Sequence, residues 1–405
     1  MQLEKRVKTH HSAMAGIEDL ALGPKALINY LGEKREVSEE RKKSNIYIHV
    51  PFCSKICTFC SMRRSLSQPV EDYHRLVVAE LEQYGKLDYI RSSTFDAVYF
   101  GGGTPTTLRK EALEEILTAV RENFNFTLDA EITIETTVSE LTEDKIEMFG
   151  RQGVNRFSVG VQTFSDRGRE LFGRKGAGEE AYRKLKFLRG SGFDNVSMDL
   201  IYSYAEQTKE ELLEDLNRIY ELDLSGFSLY SLISTKSSRL GEAQSLEIDK
   251  ELFDLIVENS QKQDYHFIEI TKMVRRDQYR YVMNRLLAED TLPIGAAAGG
   301  SLGDLVLMNP VDLEQYRAGV ENFKEKRGML FQPRYRELTK IKGDLQKGIL
   351  PMEYARIKNR PALEDYVEKL LREGLVFEKE GGMYFTKDGY FWGNNISREF
   401  IALLQ

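Results

Sequence analysis

Between residues 45 and 275, strand-like apolar runs alternate with helical patterns, and no other feature narrows the fold of this chain as much. The runs fall at 46–50, 95–100, 131–135, 156–161, 196–202, 227–232 and 267–270. Amphipathic stretches at 70–84, 110–123, 142–152, 179–191, 209–222 and 249–263 separate them. Alternation of this kind implies parallel strands joined by right-handed helical crossovers. Six or seven repeats without an order reversal favour an α/β fold built as an open, partial (β/α) barrel of the (β/α)6 type. Barrel chemistry gathers at the carboxyl ends of the strands, so the loop after each run is where functional residues are expected.

The chain's only three cysteines, Cys53, Cys57 and Cys60, follow the first run in HVPFCSKICTFC. An odd, tightly bunched set does not suit disulfides, and a structural zinc ion wants a fourth side chain. His49 is a minority candidate for that fourth ligand, because it lies inside an apolar run. A C-x3-C-x2-C spacing can instead hold three irons of a cubane [4Fe-4S] cluster, which leaves the fourth iron open to an exogenous ligand. The amino and carboxylate groups of S-adenosylmethionine (SAM) can chelate such an iron. On this reading the three cysteines are both the metal ligands and the centre of catalysis.

The following loops carry polar groups in matching places. Gly101-Gly102-Gly103-Thr104-Pro105 comes straight after the second run, where consecutive glycines let the backbone approach a ligand closely. Glu135 closes the third run, placed to bond a ribose hydroxyl or the methionyl amine. Gln162, Arg174 and Asp199 fall at or just beyond the fourth and fifth runs and offer an amide, a cation and a carboxylate. Phe59, between Cys57 and Cys60, would stack near the adenine or shield the cluster. Each has an ordinary reading as turn, packing or solvated surface. Their shared position at neighbouring strand ends favours the ligand reading.

The flanks are different in kind. Residues 1–44 are polar and weakly periodic and read as an arm or lid. The barrel spans 45–305, with Gly295–Asp304 as a glycine-rich connector. Residues 306–405 read as helices, a hairpin in GLVFEKEGGMYF and a last helix, a small α+β winged-helix-like domain. A net charge of −7 argues against nucleic-acid affinity for the chain as a whole. The N-terminus lacks the apolar core of a signal peptide, and no run reaches the roughly 18–20 apolar residues of a membrane span. A cytoplasmic location is expected.

Taken in order, YIHVPFCSKICTFC, AVYFGGGTP, ITIET, RFSVGVQTF, FGRKG and MDLIY resemble the motifs of radical SAM enzymes related to oxygen-independent coproporphyrinogen III dehydrogenase. The resemblance implies that Cys53, Cys57 and Cys60 ligate a [4Fe-4S] cluster. It further implies that Tyr47, Gly102, Gly103, Thr104 and Glu135 contact the cluster-bound SAM. Gln162, Arg174 and Asp199 match the region where a second SAM can bind. The chain departs from that pattern twice: Ser203-Tyr204-Ala205 replaces a Gly-Leu-Pro turn, and Gly299-Gly300 replaces an Ala-His pair.

Three further segments, THHSAMAG, CTFCSMRRS and FTKDGYFWGNN, are similar to the anaerobic heme-degrading radical SAM methyltransferases of the anaerobilin synthase type. That resemblance implies an enzyme using two SAM molecules to open heme anaerobically, releasing iron and a methylated linear tetrapyrrole. The electron donor would be flavodoxin-like. His10 and His11 become candidates for axial or proton-donating groups. Arg63 and Arg64 could pair with heme propionates bidentately. Two other outcomes stay open: a coproporphyrinogen-dehydrogenase-like or other radical SAM methyltransferase on a different substrate, and a protein that binds and traffics heme without turnover.

Overall fold

The computed structural model describes residues 5–8, 20–34, 43–60, 69–233, 240, 244–353 and 361–404. Its first strand, β1 (Ala21–Ala26), precedes the central sheet. That sheet comprises β2 (Ser44–Val50), β3 (Phe95–Gly102), β4 (Phe126–Thr137), β5 (Arg156–Gln162) and β6 (Asn195–Tyr202). It continues with β7 (Gly226–Ser231), β8 (His266–Glu269), β9 (Lys272–Val274) and β10 (Asp290–Ile294). The strand order is β10-β2-β3-β4-β5-β6-β7-β9-β8. Every pair from β10 to β7 is parallel, whereas β9 and β8 run antiparallel. The α/β partial barrel expected from the alternation is therefore present, with an antiparallel hairpin on one edge.

Residue choice explains the elements. Strands covered on both faces read as continuous apolar runs rather than alternating ones, and all eight residues of β3 (FDAVYFGG) are buried. The crossover helix Lys110–Asn123 buries Leu113, Ile116, Leu117 and Val120, the spacing of one helical face. Helix Lys209–Glu221 starts at a capping box, in which Thr208 and Glu211 satisfy each other's backbone amides.

Two expectations at the sheet edges need correcting. The run at 267–270 does form a strand, but not a parallel one. Only Ile270 and Thr271 join β8 to β9, and two residues suffice for a hairpin, whereas a parallel return needs a crossover of a dozen or more. The seventh parallel strand is instead β10, laid beside β2 at the opposite edge. Its Pro293 lacks an N–H and is tolerated at that position. The supposed connector Gly295–Asp304 contains β11 (Gly299–Leu302), which starts a second sheet.

That second sheet has the order β1-β13-β12-β11, with β12 (Leu305–Met308) and β13 (Arg327–Phe331). Part of the segment read as an arm or lid, residues 21–31, is built into this sheet and the core beside it. β1 pairs antiparallel with β13, and Leu27 and Leu31 of the helix that follows β1 are fully buried. The C-terminal part runs from helix Arg334–Gln346 through β14 (Ile349–Leu350) and helix Pro361–Arg372 to β15 (Val376–Lys379) and β16 (Gly382–Phe385). β15 and β16 form the expected hairpin. This helix–strand–helix–hairpin order is winged-helix-like. The Phe267 and Tyr390 rings stack with centroids 4.1 Å apart and fasten this part to β8.

Candidate active site

The cysteine loop leaves the carboxyl end of β2 behind Phe52, whose buried ring meets Tyr73 edge-on at 5.0 Å. Thr58 anchors the loop's far side, its amide to the Phe172 carbonyl at 3.3 Å and its hydroxyl to the Leu171 carbonyl at 2.7 Å. Cys53, Cys57 and Cys60 are half-buried thiols outside any disulfide, and all three line one cleft of about 760 Å³. Cys53 Sγ is 3.6 Å from Thr104 Oγ1, and Cys57 Sγ accepts from Arg174 Nη1 at 3.4 Å. Among the described residues no three His, Cys, Asp or Glu side chains are gathered as for a single metal ion.

His49, the candidate for a fourth ligand, does not line the cleft, and its buried Nε2 has no hydrogen-bond partner among the described residues. Its Nδ1 is 2.8 Å from the Tyr47 hydroxyl, and burial pushes its ionisation down to about 4, so the ring is neutral. The ring packs against Gly102 instead of lining the cleft.

The glycine run is required by close approach. Gly103 donates its amide to the Val50 carbonyl at 2.8 Å, and Thr104 donates to Phe52 O at 2.7 Å, so this loop is stitched to the start of the cysteine loop. A Cβ on Gly103 would overlap the Phe52 carbonyl, and one on Gly102, at φ +110°, would lie 2.7 Å from the His49 ring. Glu135 faces the same corner. It accepts from the Tyr99 hydroxyl at 2.5 Å and from the Gly102 amide at 3.3 Å. Burial raises its carboxyl to about 7 despite those bonds.

The next two strands supply the other wall. Gln162 occupies an irregularity in the β5–β6 register with φ +76°, which turns its side chain at the strand end. Arg174 Nη2 donates to the Gly160 carbonyl at 2.8 Å, and its guanidinium lies 5.5 Å from the Phe59 ring centroid. Asp199 is held above the usual carboxylate range by burial, against the pull of Lys272. Lys272 is itself fully buried, bonded to Ser197 Oγ at 2.5 Å and 3.4 Å from Asp277.

Of the anticipated residues, Cys53, Cys57, Cys60, Phe59, Gly102, Gly103, Thr104, Glu135, Gln162, Arg174 and Asp199 all border this one cleft. Tyr47 does not. Its ring is behind Glu135, stacked on Tyr281 at 5.7 Å and Tyr99 at 6.3 Å. His10, His11, Arg63 and Arg64 lie outside the described residues. Of the remaining histidines, His74 pairs with Glu115 at 3.3 Å and His266 is exposed, both away from the cleft.

Sequence reasoning missed Tyr230, Leu232 and Ile233 at the end of β7 and Lys55 and Lys175 at the rim. Period-two spacing was the available signal for one of them: Tyr230 on β7 lies two residues after Ser228, as Ile201 on β6 lies two after the anticipated Asp199, and alternate strand residues share a face.

Three thiols from one loop, a glycine cradle with no room for side chains and a buried Arg174 Nε without a partner suit a cluster plus a small ligand bearing an acceptor. Residues 47–219 match the family model of the Radical SAM superfamily. Those residues form a radical SAM domain. That domain implies a [4Fe-4S] cluster and SAM.

The chain is similar to the heme chaperone HemW of Lactococcus lactis subsp. lactis (strain IL1403), at 26% identity over 89% of this chain and 98% of that protein. It is also similar to the anaerobilin synthase of Escherichia coli O157:H7, at 29% identity over 90% of this chain and 85% of the relative. Among solved structures it resembles coproporphyrinogen III oxidase (HemN) from Escherichia coli, with a TM-score of 0.75 and 25% identity, covering 89% of this chain and 90% of the other.

The two departures within and beside the radical SAM domain have physical consequences. Ser203 adopts φ +60°, a conformation glycine takes more readily, and its amide is held by Gln207 Oε1 at 2.7 Å. The adjacent Tyr204 is fully buried against Phe172, with ring centroids 5.1 Å apart, beneath Phe59 in a small apolar cluster. At the other departure, a Cβ on Gly300 would overlap the Thr291 carbonyl. A histidine cannot occupy position 300 on this backbone.

Proposed function

We propose that this chain is a radical SAM methyltransferase that opens heme without oxygen, releasing iron and a methylated linear tetrapyrrole. The observation that carries the reading is a single cleft with two polar sets on successive strands, each of which would take one SAM molecule. Gly102, Gly103, Thr104 and Glu135 form the first set; Gln162, Arg174 and Asp199 form the second. The similarity to anaerobilin synthase over 90% of this chain supports the choice of heme as substrate.

Cys53, Cys57 and Cys60 would hold the cluster, which when bound supplies the electron for reductive cleavage of SAM. This chain's own residues bind, orient and exclude water. Above about pH 7 Glu135 is a carboxylate, able to accept from a hydroxyl or ammonium group of SAM. The unpartnered Arg174 Nε suits a carboxylate, and Asp199 suits an ammonium. Phe59, Ile201, Leu232 and Ile233 give the cleft an apolar wall for a flat macrocycle, while Lys55 and Lys175 at the rim suit its propionates. A flavodoxin-like protein is the proposed electron donor.

A second reading, heme binding and delivery without turnover, is favoured by the likeness to the heme chaperone HemW over 98% of that protein. Anaerobic incubation of the cluster-loaded, reduced protein with heme and SAM separates the two. Loss of the Soret band, free iron and a methylated linear tetrapyrrole by mass spectrometry are the expected results. Stoichiometric heme retention with no SAM consumed above the heme-free control identifies a chaperone. SAM cleavage with heme intact moves the activity to another substrate.

A further inference from the structure

Arg174 is held unusually firmly for a cation at a cleft wall. One guanidinium nitrogen, Nη1, donates to Cys57 Sγ at 3.4 Å, and the other, Nη2, to the Gly160 carbonyl at 2.8 Å. The flat face covers Phe59, the residue between the second and third cysteines, at 5.5 Å. The backbone allows this because Gly160 has no side chain, since a Cβ there would lie 2.7 Å from Nη2. The Arg174 amide is bonded to the Arg169 carbonyl at 2.8 Å, which fixes the base of the side chain. Its bonded partners among the described residues are thus a sulfur, a carbonyl and a ring.

We propose that Arg174 is a positioning residue that acts on the cluster through Cys57 and raises its reduction potential, in addition to any contact with SAM. This rests on the cluster assignment of the preceding reading and not on the identity of the substrate. A [4Fe-4S] cluster with three thiolates gains one electron on reduction, from a low-potential flavoprotein or a chemical reductant, and no proton need move. Its overall charge becomes more negative by one. A cation and an N–H donor at a ligand sulfur stabilise that reduced state more than the oxidised one. The same contact draws electron density from the Cys57 sulfur and, through Phe59, holds the loop against the wall at Gly160.

The test is an EPR-monitored redox titration of the reconstituted full chain without SAM. The midpoint of Arg174→Gln is expected to lie below that of the unmodified protein at equal iron and sulfide content. Arg174→Lys should fall between them, because an ammonium keeps the charge but loses the planar fork. If Arg174→Gln fails to hold iron, the Arg174→Lys midpoint decides. An unchanged midpoint in the variants of a protein that does hold its cluster overturns the inference and leaves the proposed function standing. Absence of any cluster signal in the unmodified protein overturns both.

Discussion

Glu135 shows how one carboxyl can serve the site at a cost to the fold. Burial raises it from an ordinary 4.5 to about 7, while the unfolded chain ionises near the lower value. The advantage of the neutral folded form is complete below pH 4.5 and is lost as pH rises through about 7. Glu135→Gln should therefore leave stability unchanged at pH 4.5 and increase it at pH 8. A gain on the order of 2 kcal/mol is reasonable for a group that stays partly open to the cleft. SAM affinity should move the other way, at least tenfold weaker at pH 8 in the variant. Melting curves and calorimetric titrations across this range check both, and equal stability of the two proteins at pH 8 would refute the account. The carboxylate's place at a strand end was legible in ITIE; its Tyr99 partner was not, because that contact crosses from β4 to β3.

At the scale of elements, Glu80 stands out as a junction. It is fully buried, and its carboxylate accepts from Gly295 N at 2.9 Å, Asn309 Nδ2 at 3.0 Å and Tyr316 OH at 2.7 Å, besides pairing with Lys326. Helix Tyr73–Gly85, the turn after β10 and helix Leu313–Glu321 meet there. Removing one member of such a buried set strands the others in a dry interior. Glu80→Ala is expected to cost about 3–5 kcal/mol in urea unfolding, and a loss below about 1 kcal/mol would show that water replaces the carboxylate freely. Nothing local marks this residue, since ELEQ reads as ordinary helix surface. The hairpin of β8 and β9 was hidden for a similar reason: its strand run looks like the six before it, and only the missing crossover distinguishes it.

For the molecule as a whole, the chain's two ends meet on the barrel. Arg6 donates to Asp249 Oδ2 at 2.9 Å, to the Tyr202 hydroxyl at 2.8 Å and to the Phe391 carbonyl at 2.9 Å. Lys8 reaches the carbonyl of Leu232, a cleft residue, at 2.9 Å. Asn395 brackets the same segment, accepting from Val7 N at 2.8 Å and donating to the Lys5 carbonyl at 3.0 Å. Arg6→Ala leaves the buried Asp249 carboxylate with Ser231 Oγ at 2.6 Å and Lys8 at 3.6 Å. Faster tryptic cleavage near the N-terminus is expected, with a stability loss of roughly 2–4 kcal/mol. Cleavage at the unmodified rate would mean that Arg6 does not hold this segment.

The alternation of strand and helix patterns and the spacing of three cysteines were enough to specify a parallel partial barrel with a polar, cysteine-lined cleft at the strand ends. Both signals are carried by neighbouring residues, so backbone geometry and ligand reach translate them directly. Tertiary structure alone decided that β10 completes the sheet, that β1 pairs with β13, and that Arg156 is buried in a two-bond pair with Asp277 at 2.9 and 2.8 Å. Those partners are separated by 121 residues in the last case. No local pattern records such a pairing, because its free energy arises only when folding removes both groups from water together.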